Sequence, residues 1–534
     1  MKRILMFAML FCYGSIFAQW VNFEDETATR IEISNISDND NANAIDDQEK
    51  DFGVGDFDND SFMDLVVVRK IPFSTAGPKT DLLLMNRNGV LVDETDVFAP
   101  EFLTNPTDAR DVVVVDVNMD DWMDLFIVST FGDQPKMYIN KGEDSNGNWL
   151  GFEDESTQRL PEITLDLIQF CAGWGGDLTG NGAPDLYMVN YDGSNTSKDV
   201  LFINDGTGIF TDETEVRMGD LRNSSFGTGT EIHDVDNDGD LDIVKNMGTS
   251  AVPPFNELGT SAIFNNGDGT FTNFQNFPGD ATYMFTAGDL NNDGMLDFYE
   301  VDDFDDYVNS ITAIVVDESL TLDQQIINSD KTDVWGGNVK MVDIDNDGDL
   351  DVTIASVDTD VPPCNTEDNN GGAGGARTFV LFENAGLFSG DITDPYANDP
   401  KPWDISNYDQ DFIDINNDGN MDMILGTCEG YIIFVNDAEP LLGLEDQTIF
   451  DSFAVYPNPT KGHATIQLSN LEDSDEISIA IYDLQGRMLT QQKEAVSGTQ
   501  VATFPIDITN KQGGVYFVKV TTAKGVVTKK ILVE

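Results

Sequence analysis

The residues best suited to chemistry in this 534-residue chain are carboxylates that recur at fixed spacing. The stretch DIDNDGDLD, residues 343–351, places side-chain oxygens at its first, third, fifth and ninth positions and a glycine at its sixth. Calcium takes about six to eight oxygen ligands, which alternate carboxylates on a tight loop can supply without nitrogen or sulfur donors. Without a cation, these carboxylates would repel one another. The spacing therefore predicts a calcium-binding loop.

The same nine-residue pattern occurs seven times, and we number the copies loop 1 to loop 7 in chain order. The predicted metal ligands are Asp56, Asp58, Asp60 and Asp64 in loop 1; Asp116, Asn118, Asp120 and Asp124 in loop 2; Asp177, Thr179, Asn181 and Asp185 in loop 3; Asp234, Asp236, Asp238 and Asp242 in loop 4; Asp289, Asn291, Asp293 and Asp297 in loop 5; Asp343, Asp345, Asp347 and Asp351 in loop 6; and Asp414, Asn416, Asp418 and Asp422 in loop 7. We expect five to seven bound calcium ions, with loop 3 the weakest site because only two of its ligands are carboxylates. Ser61 and Asp121 stand at the sixth position, where glycine is expected, so the turn geometry of loops 1 and 2 is less certain.

An EF-hand and a solvated acidic turn are the two other structures that such a loop sequence could form. An EF-hand begins in a similar way but closes with a glutamate at position twelve between two helices. Position twelve of loop 4 is Lys245, and the loops are followed by DLVVV, DLFIV and DLYMV, which are typical of strands. A solvated acidic turn would explain a single copy. Seven copies in one frame favour metal binding.

The composition is that of a folded acidic protein. The chain has 28 Lys and Arg against 97 Asp and Glu, a net charge of −69. Nucleic acids and anionic membranes would repel such a chain unless a divalent ion bridged them. Its 40% hydrophobic content and 34 Phe argue against disorder.

The N-terminal sequence MKRILMFAMLFCYGSIFAQ has a basic start, an apolar run and a small residue near its end. This pattern predicts a secretory signal peptide over residues 1–18, and no other stretch reaches the length of a transmembrane segment. The mature chain would keep Cys171, Cys364 and Cys428. A disulfide between Cys364 and Cys428 and a pair of free thiols both stay open, because the Cα separation cannot be read from the sequence.

Successive loops begin 54 to 71 residues apart, and each interval holds several short strand patterns. Four strands per unit and seven units predict an all-β fold, a seven-bladed β-propeller over residues 19–436. The last unit lacks the FxDET ending that closes earlier ones, whereas residues 20–29, WVNFEDETAT, carry it before any loop. Val21 to Thr27 is therefore predicted to form the outermost strand of the last blade, pairing with Tyr431 to Val435.

The loops and the aromatic and glycine residues before them, such as DFGVGD and WGGD, resemble FG-GAP and VCBS repeats. Such repeats occur in integrin alpha-chain propellers and in bacterial surface proteins, and the resemblance covers roughly residues 20–436. It implies one calcium ion in the loop between the first and second strands of each blade, held by the residues given above.

Beyond a linker at residues 437–451, the segments YPNPTKG, IYDLQGRML and GGVYFVKVTTAKGVVTKKILVE resemble the C-terminal sorting domain of type IX secretion cargo in Bacteroidota. The resemblance implies a small β-sandwich (Ig-like) over residues 452–534 that engages the type IX secretion machinery. It also implies Sec export followed by release or display on the outer-membrane surface.

No catalytic or organic cofactor-binding residue is predicted. The chain has only two histidines, His233 and His463, and lacks a nucleophile elbow, a phosphate loop and zinc-ligand spacing. Trp174 and Trp335 are expected to pack between blades, and the connection at residues 356–378 is a candidate recognition loop. These observations favour a binding or adhesion module for a glycan or a protein. A lyase-like polysaccharide-degrading propeller and a structural component of the surface layer are the alternatives.

Overall fold

The structure is a computed structural model. It describes residues 21–34, 46–72, 76–165, 168–191, 197–248, 250–277, 282–290, 295–302, 311–316, 322–326, 338–346, 348–355, 379–382, 405–437, 453–456, 460–469, 476–482, 488–495, 501–507, 514–522 and 525–533. The fold is all-β, and the chain divides into two compact units, residues 1–438 and residues 439–534. The signal-peptide and linker predictions lie outside the described residues, apart from Asp437.

In the residues that the structure describes, the larger unit contains seven mainly antiparallel sheets of three to five strands, which we number after the loop that each contains. Their strands, from first to last, are Glu49–Gly55, Asp64–Lys70, Leu82–Asn86 and Leu91–Asp93 in sheet 1; Ala109–Val115, Asp124–Ser129, Lys136–Asn140 and Phe152–Asp154 in sheet 2; Phe170–Gly176, Asp185–Asn190, Val200–Asn204 and Phe210–Asp212 in sheet 3; Thr230–His233, Asp242–Met247, Gly259–Asn265 and Phe271–Asn276 in sheet 4; Thr282–Gly288, Asp297–Asp302, Ile311–Val316 and Leu322–Ile326 in sheet 5; Val339–Val342, Asp351–Ala355 and Phe379–Phe382 in sheet 6; and Asp409–Ile413, Asp422–Thr427 and Gly430–Asn436 in sheet 7.

Short helices follow several outer strands. They are Thr27–Arg30, Thr95–Phe98, Pro100–Thr104, Ser156–Arg159 and Thr214–Met218, with a 3-10 helix at Gly219–Arg222. A small ladder pairs Ser197–Lys198 with Asn223–Ser224. Among the residues that the structure describes, no helix is long and apolar enough to cross a membrane.

The second strands of sheets 1, 2 and 3 contain apolar runs because both of their faces are buried. Every residue of Asp64–Lys70, Asp124–Ser129 and Asp185–Asn190 is buried. Alternate residues of such a strand contact the sheets on either side. Val66 and Val68 share a core with sheet 2, whereas Leu65 and Val67 share one with sheet 7. Burial on two faces thus replaces the apolar–polar alternation of a half-exposed strand.

The sheets pack against one another in chain order, and sheet 7 packs on sheet 1. Apolar cores join sheets 1 and 2, 2 and 3, 3 and 4, 4 and 5, and 5 and 6. Another core brings Phe52 and Leu65 of sheet 1 together with Ile413 and Ile424 of sheet 7. Sheets 6 and 7 are joined by an ion pair of 2.9 Å between Lys340 Nζ and Asp411 Oδ2.

The N-terminal segment supplies the outer strand of sheet 7. Phe23–Asp25 pairs antiparallel with the third strand, Gly430–Asn436, with Phe23 opposite Asn436 and Asp25 opposite Phe434. The predicted pairing of the N-terminal segment with this strand is therefore confirmed. The strand is shorter than predicted, because Thr27 already begins the helix Thr27–Arg30.

The FxDET pattern recurs because the hydroxyl of its last residue forms a hydrogen bond with the third strand and so holds the outer strand against it. The Thr27 hydroxyl donates to Asp25 Oδ1 at 2.7 Å and accepts the N–H of Ile433 at 2.9 Å. The equivalent hydroxyls in sheets 1, 2 and 3 each accept an N–H from the third strand of their sheet at 2.8 to 2.9 Å; they belong to Thr95, Ser156 and Thr214. The N-terminal copy is thus the same structural element, displaced along the chain.

Two details differ from the four-strand unit expected from sequence. Ile31–Glu32 adds a fifth strand to sheet 1 by pairing in parallel with Leu91–Asp93. The described residues of sheet 6 provide three strands. The parallel pair contains only two residues, which is too short for a periodic sequence pattern.

The smaller unit consists of two sheets around one core. The first holds Phe453–Tyr456, His463–Ser469 and Val501–Asp507, and the second holds Glu476–Tyr482, Met488–Ala495, Gly514–Thr522 and Gly525–Val533. Ile466 and Phe504 of the first sheet pack with Ile479 and Val518 of the second. Two sheets that bury their inner faces against each other form a β-sandwich.

We predict that deletion of residues 19–28 lowers the melting temperature by on the order of 5 °C or more and causes self-association. The deletion uncovers the backbone edge of Gly430–Asn436 and removes the buried side chains of Val21 and Phe23. Differential scanning calorimetry and light scattering measure both effects, with Thr29→Ala, at an exposed position of the same segment, as the control. A monomeric deletion variant with unchanged melting behaviour would contradict this role.

Candidate functional site

The acidic loops connect the first and second strands of their sheets through two residues with left-handed backbone. The fourth position has φ of 56° at Asn59 and 61° at Met119, and the sixth has φ of 93° at Gly182 and Gly419. Ser61 and Asp121 adopt φ of 75° and 67° at the same sixth position. Asparagine and glycine tolerate this conformation best, which explains the frequent NDG sequence. Loops 1 and 2 therefore keep the turn without glycine.

In loops 1, 2, 4 and 7, the carboxylates at the first and fifth positions accept backbone hydrogen bonds. In loop 1, Asp56 accepts the N–H groups of Asp60 and Ser61 at 3.0 and 2.9 Å, and Asp60 accepts that of Phe62 at 2.9 Å. The first aspartates of loops 2, 3, 4 and 7 accept the same pair. These bonds curl the loop so that its side chains point inward.

The ninth aspartate is buried and bonds two separate parts of its sheet. Asp185 accepts the N–H of Leu178, at the start of loop 3, at 3.1 Å and that of Asn204, at the end of the third strand, at 2.8 Å. Burial raises the pKa of Asp185 to about 6 and that of Asp64 to about 8. Burial also raises the pKa values of Asp124, Asp242 and Asp422 to about 7.

An asparagine that ends the third strand carries this link to the preceding sheet. In five sheets its side-chain N–H donates, at 2.7 to 3.3 Å, to the backbone carbonyl of the second residue in the loop of the preceding sheet. For sheet 1, the partner is loop 7 of sheet 7. The five donors are Asn86, Asn140, Asn204, Asn265 and Asn436. These asparagines were not predicted, although they recur at the strand endings LLLMN, KMYIN, VLFIN and IIFVN in the sequence.

Three loops bring carboxylates close enough to hold a metal ion together. In loops 1, 4 and 6, ligand oxygens of the first, third and ninth aspartates lie within 4.8 Å of one another. Loops 2, 3 and 7 have Asn118, Thr179 and Asn416 at the third position. Of the predicted ligands, Asn291, Asp293 and Asp347 lie outside the described residues.

The loops fit a hard divalent cation. Their donors are oxygen atoms, and two of these atoms at the third position are buried without a hydrogen-bond partner in the described structure, namely Asp58 Oδ1 and Thr179 Oγ1. A buried oxygen without a donor is unfavourable unless a cation or water completes it. An unpartnered oxygen at the third position of loop 3 also indicates a usable site there, despite its lower charge.

A second candidate site is a cavity of about 830 Å³ that the first strands of all seven sheets line. Carboxylates from sheets 1, 2 and 7 share this wall with Lys340 of sheet 6. Burial, followed by the charges of Asp409 and Asp111, raises the pKa of Asp51 well above its ordinary value. Burial raises the pKa of Asp409 to about 6 and also raises that of Asp111.

The basic side chains on the cavity wall already interact with neighbouring protein groups. Burial would lower the pKa of Lys340, but Asp411, Asp409 and Asp51 raise it above its ordinary value. Lys50 donates to the backbone carbonyls of Asp46, Gln48 and Thr427, and burial lowers its pKa to about 8. Arg110 lies against other residues of the wall, with Nε 3.0 Å from Cys171 Sγ. The cavity lining thus holds six Asp and Glu residues against three Lys and Arg residues.

Sheets 3 and 4 give the cavity an aromatic part. Trp174 lines it and is 38% exposed, with its ring centroid 5.8 Å from that of His233. His233 Nε2 lies 2.6 Å from Glu231 Oε2. Trp174 therefore contacts the neighbouring sheet through His233, as expected, and the rest of its side chain stays exposed in the cavity.

The predicted disulfide is only partly described. Cys428 is disulfide-bonded, and Cys171 is a free, buried thiol. Cys364 and the proposed recognition loop at residues 356–378 lie outside the described residues, as does Trp335.

Two family models match this chain. The FG-GAP-like repeat matches residues 177–244, from loop 3 into the second strand of sheet 4. The secretion system C-terminal sorting domain matches residues 454–534, which form the β-sandwich. The chain thus contains an FG-GAP-like repeat and a C-terminal sorting domain of the type IX secretion system. This domain indicates export to the cell surface or the extracellular space.

No curated protein matches the chain. Among solved structures, it is similar to a fructofuranosidase from Schwanniomyces occidentalis complexed with fructosylnystose, at 10% identity, with 91% of this chain and 89% of that chain covered and a TM-score of 0.26. A family 32 glycoside hydrolase from Bifidobacterium adolescentis shows 11% identity, coverage of 89% and 84%, and a TM-score of 0.24. Latent PorU from Porphyromonas gingivalis shows 12% identity, coverage of 73% and 36%, and a TM-score of 0.15. These TM-scores are too low to support an argument about function.

We predict that Asn204→Ala lowers the free energy of unfolding by about 2–4 kcal/mol, because several buried hydrogen bonds are lost together. The Asn204 side chain donates to the carbonyls of Val117 and Pro184 and accepts the N–H groups of Gly206 and Gly208, at 2.8 to 3.0 Å. Urea denaturation measures the loss.

The matched control is Asn266→Ala, which removes a similar but exposed bond to the Thr270 carbonyl. We expect it to change the free energy of unfolding by less than about 0.5 kcal/mol. Equal losses in the two variants would show that the buried link between sheets contributes no particular stability.

Proposed function

We propose that this protein is an exported, calcium-loaded seven-bladed β-propeller that binds a glycan in its central cavity. The seven sheets would be the blades. Their packing in chain order, the contact of sheet 7 with sheet 1 and the shared lining of one cavity by all seven first strands support this arrangement. The outer strand Phe23–Asp25 would close the ring by joining the two ends of the propeller chain.

Calcium would be held by the side chains at the first, third, fifth and ninth positions of the loops. The converging carboxylates of loops 1, 4 and 6 and the unpartnered oxygens of Asp58 and Thr179 support this assignment. When bound, the ion neutralises the carboxylates and supplies the partner that those oxygens lack. The loop backbone and the buried ninth aspartate would hold the ligand set in place.

The observation that carries the ligand-binding proposal is a group of buried carboxylates on the cavity wall. Asp51, Asp111 and Asp409 come from three sheets, and burial raises the pKa of each. The Asp51 carboxylate accepts no hydrogen bond within the described residues. Like charges in a poorly solvated place lower stability, so their presence in a concave site favours a role in recognition.

The cavity suits a glycan better than a protein surface. Its volume of about 830 Å³ matches a small molecule or a short oligosaccharide, whereas a protein partner could insert only a single segment. Carboxylates accept hydrogen bonds from sugar hydroxyls, and the exposed face of Trp174 offers a flat apolar surface for a sugar ring. The sorting domain would deliver this site to the cell surface, where polysaccharides are encountered.

A second candidate function is a polysaccharide-degrading enzyme. The observation in its favour is that the cavity is lined by carboxylates with raised pKa, such as Asp409, which could serve as general acids. The same binding experiment separates the two functions if product formation is followed with it. New reducing ends or unsaturated products would indicate hydrolysis or elimination.

We predict that the calcium-saturated mature protein binds at least one soluble oligosaccharide from a plant, algal and bacterial panel in isothermal titration calorimetry. Trp174→Ala should weaken binding about tenfold or more, because the stacking surface is lost. Asp51→Asn should weaken it as well, since the amide keeps the size of the side chain but replaces one acceptor oxygen with a donor. Melting curves of both variants verify that the fold is retained.

Leu150→Ala is the control, because Leu150 is 53% exposed and lies outside the cavity lining. It should leave the affinity unchanged. The proposal fails if the wild-type protein binds no member of the panel, or if the affinity is insensitive to both cavity substitutions.

A further inference from the structure

The first acidic loop already contacts a positive charge from its own chain. Arg87 directly follows Asn86, the last residue of the third strand of sheet 1. Its Nη1 lies 2.6 Å from Asp58 Oδ2 and 3.8 Å from Asp60 Oδ2. The third and fifth ligand positions of loop 1 therefore face a guanidinium group.

A change in the FxDET region explains why Arg87 is held there. In sheets 2, 3 and 7 the glutamate of this motif pairs with an arginine four residues later, at 2.6 to 2.7 Å, in the pairs Glu155–Arg159, Glu213–Arg217 and Glu26–Arg30. In sheet 1 the residue four positions after Glu94 is Phe98, and Glu94 bonds Arg87 instead. The guanidinium is thus fixed between Glu94 and Asp58, and it lies 6.0 Å from the centre of the Phe98 ring.

Sheet 2 provides a natural comparison. Lys141 also follows the asparagine of its third strand, but its Nζ lies 2.7 Å from Glu155 and 3.2 Å from Glu153, on the outer strand and its end. In the described parts of loops 2, 3, 4 and 7, no ligand carboxylate forms an ion pair with a basic side chain. Contact with the loop is thus a property of Arg87 and not of every basic residue at this position.

We propose that Arg87 is a built-in counter-ion that weakens calcium binding at loop 1, so that this loop fills at higher calcium concentration than its ligand set alone would dictate. The inference rests on the proposed binding of calcium by the loops. Loop 1 has four carboxylate ligands, a set that by charge should bind calcium tightly. A dication and a guanidinium compete for Asp58 and repel each other at this separation.

Calcium can still bind at loop 1 in spite of this competition, because Arg87 contacts only one of the two Asp58 oxygens. Arg87 occupies Asp58 Oδ2, whereas Asp58 Oδ1 is buried without a hydrogen-bond partner in the described structure. The Asp58 carboxylate also belongs to the converging group with Asp56 and Asp64. Full coordination by Asp58 and Asp60 requires the guanidinium to withdraw toward Glu94. Loop 1 is therefore held together by an internal cation when calcium is scarce and by calcium when it is abundant.

The test counts bound calcium on the mature protein by native mass spectrometry across a series of buffered free calcium concentrations. Arg87→Gln should add one ion per chain at calcium concentrations where the wild-type protein is partly filled, with the affinity of that site rising about tenfold. Arg87→Met, which fills the same space without charge, should show the same gain. Lys141→Gln, the matched control on sheet 2, should leave the count unchanged.

The double variant Arg87→Gln, Asp56→Asn assigns the gained ion to loop 1, because Asp56 is the first ligand of that loop. The additional ion should disappear in it. A calcium titration that neither Arg87 substitution alters, or a gained ion that survives Asp56→Asn, overturns the role of Arg87 while leaving calcium binding intact. A wild-type protein that binds no calcium overturns the calcium proposal itself.

Discussion

The structure of the larger unit depends on a buried aspartate that holds three chain segments at once. The ninth aspartate of an acidic loop begins the second strand, and its two oxygens accept N–H groups from the start of the loop and from the end of the third strand. The asparagine at that second point then donates to the preceding loop. Because every partner is a backbone group, the link tolerates variation in the surrounding side chains and can be repeated.

This constraint also explains how an exceptionally acidic domain stays folded. Carboxylates of the loops accept backbone N–H groups, so the loop conformation does not rest on a cation alone. The oxygens left over are those that a cation would complete. The carboxylates on the cavity wall are different, because burial raises their pKa values and Asp51 has no compensating hydrogen bond within the described residues. The first group serves the fold, and the second favours a role in recognition.

Local patterns made part of this structure predictable from sequence. The loops, the strands after them and the N-terminal FxDET strand depend on short motifs such as NDG and on contacts that repeat in each unit. The sorting domain likewise has contiguous motifs. By contrast, Asp51, Asp111 and Asp409 are unremarkable strand residues, and only the packing of three distant sheets brings them to one wall.

Other features escaped prediction for related reasons. Trp174 lies on the cavity because its strand is one of the seven that line it, which no property of the tryptophan itself reveals. The contact between Arg87 and loop 1 depends on Phe98 replacing an arginine eleven positions further along the chain. A sequence motif considered one residue at a time does not show that Arg87 takes the place of the missing arginine as the partner of Glu94.

The most direct test of the account is a crystal structure of the mature protein grown with calcium, with anomalous scattering used to locate the ions. We predict seven blades around one axis and ions in at least five of the loops, coordinated by the first, third and ninth side chains wherever these are carboxylates. Ions in two loops or fewer, or sheets that do not surround a common cavity, would contradict it.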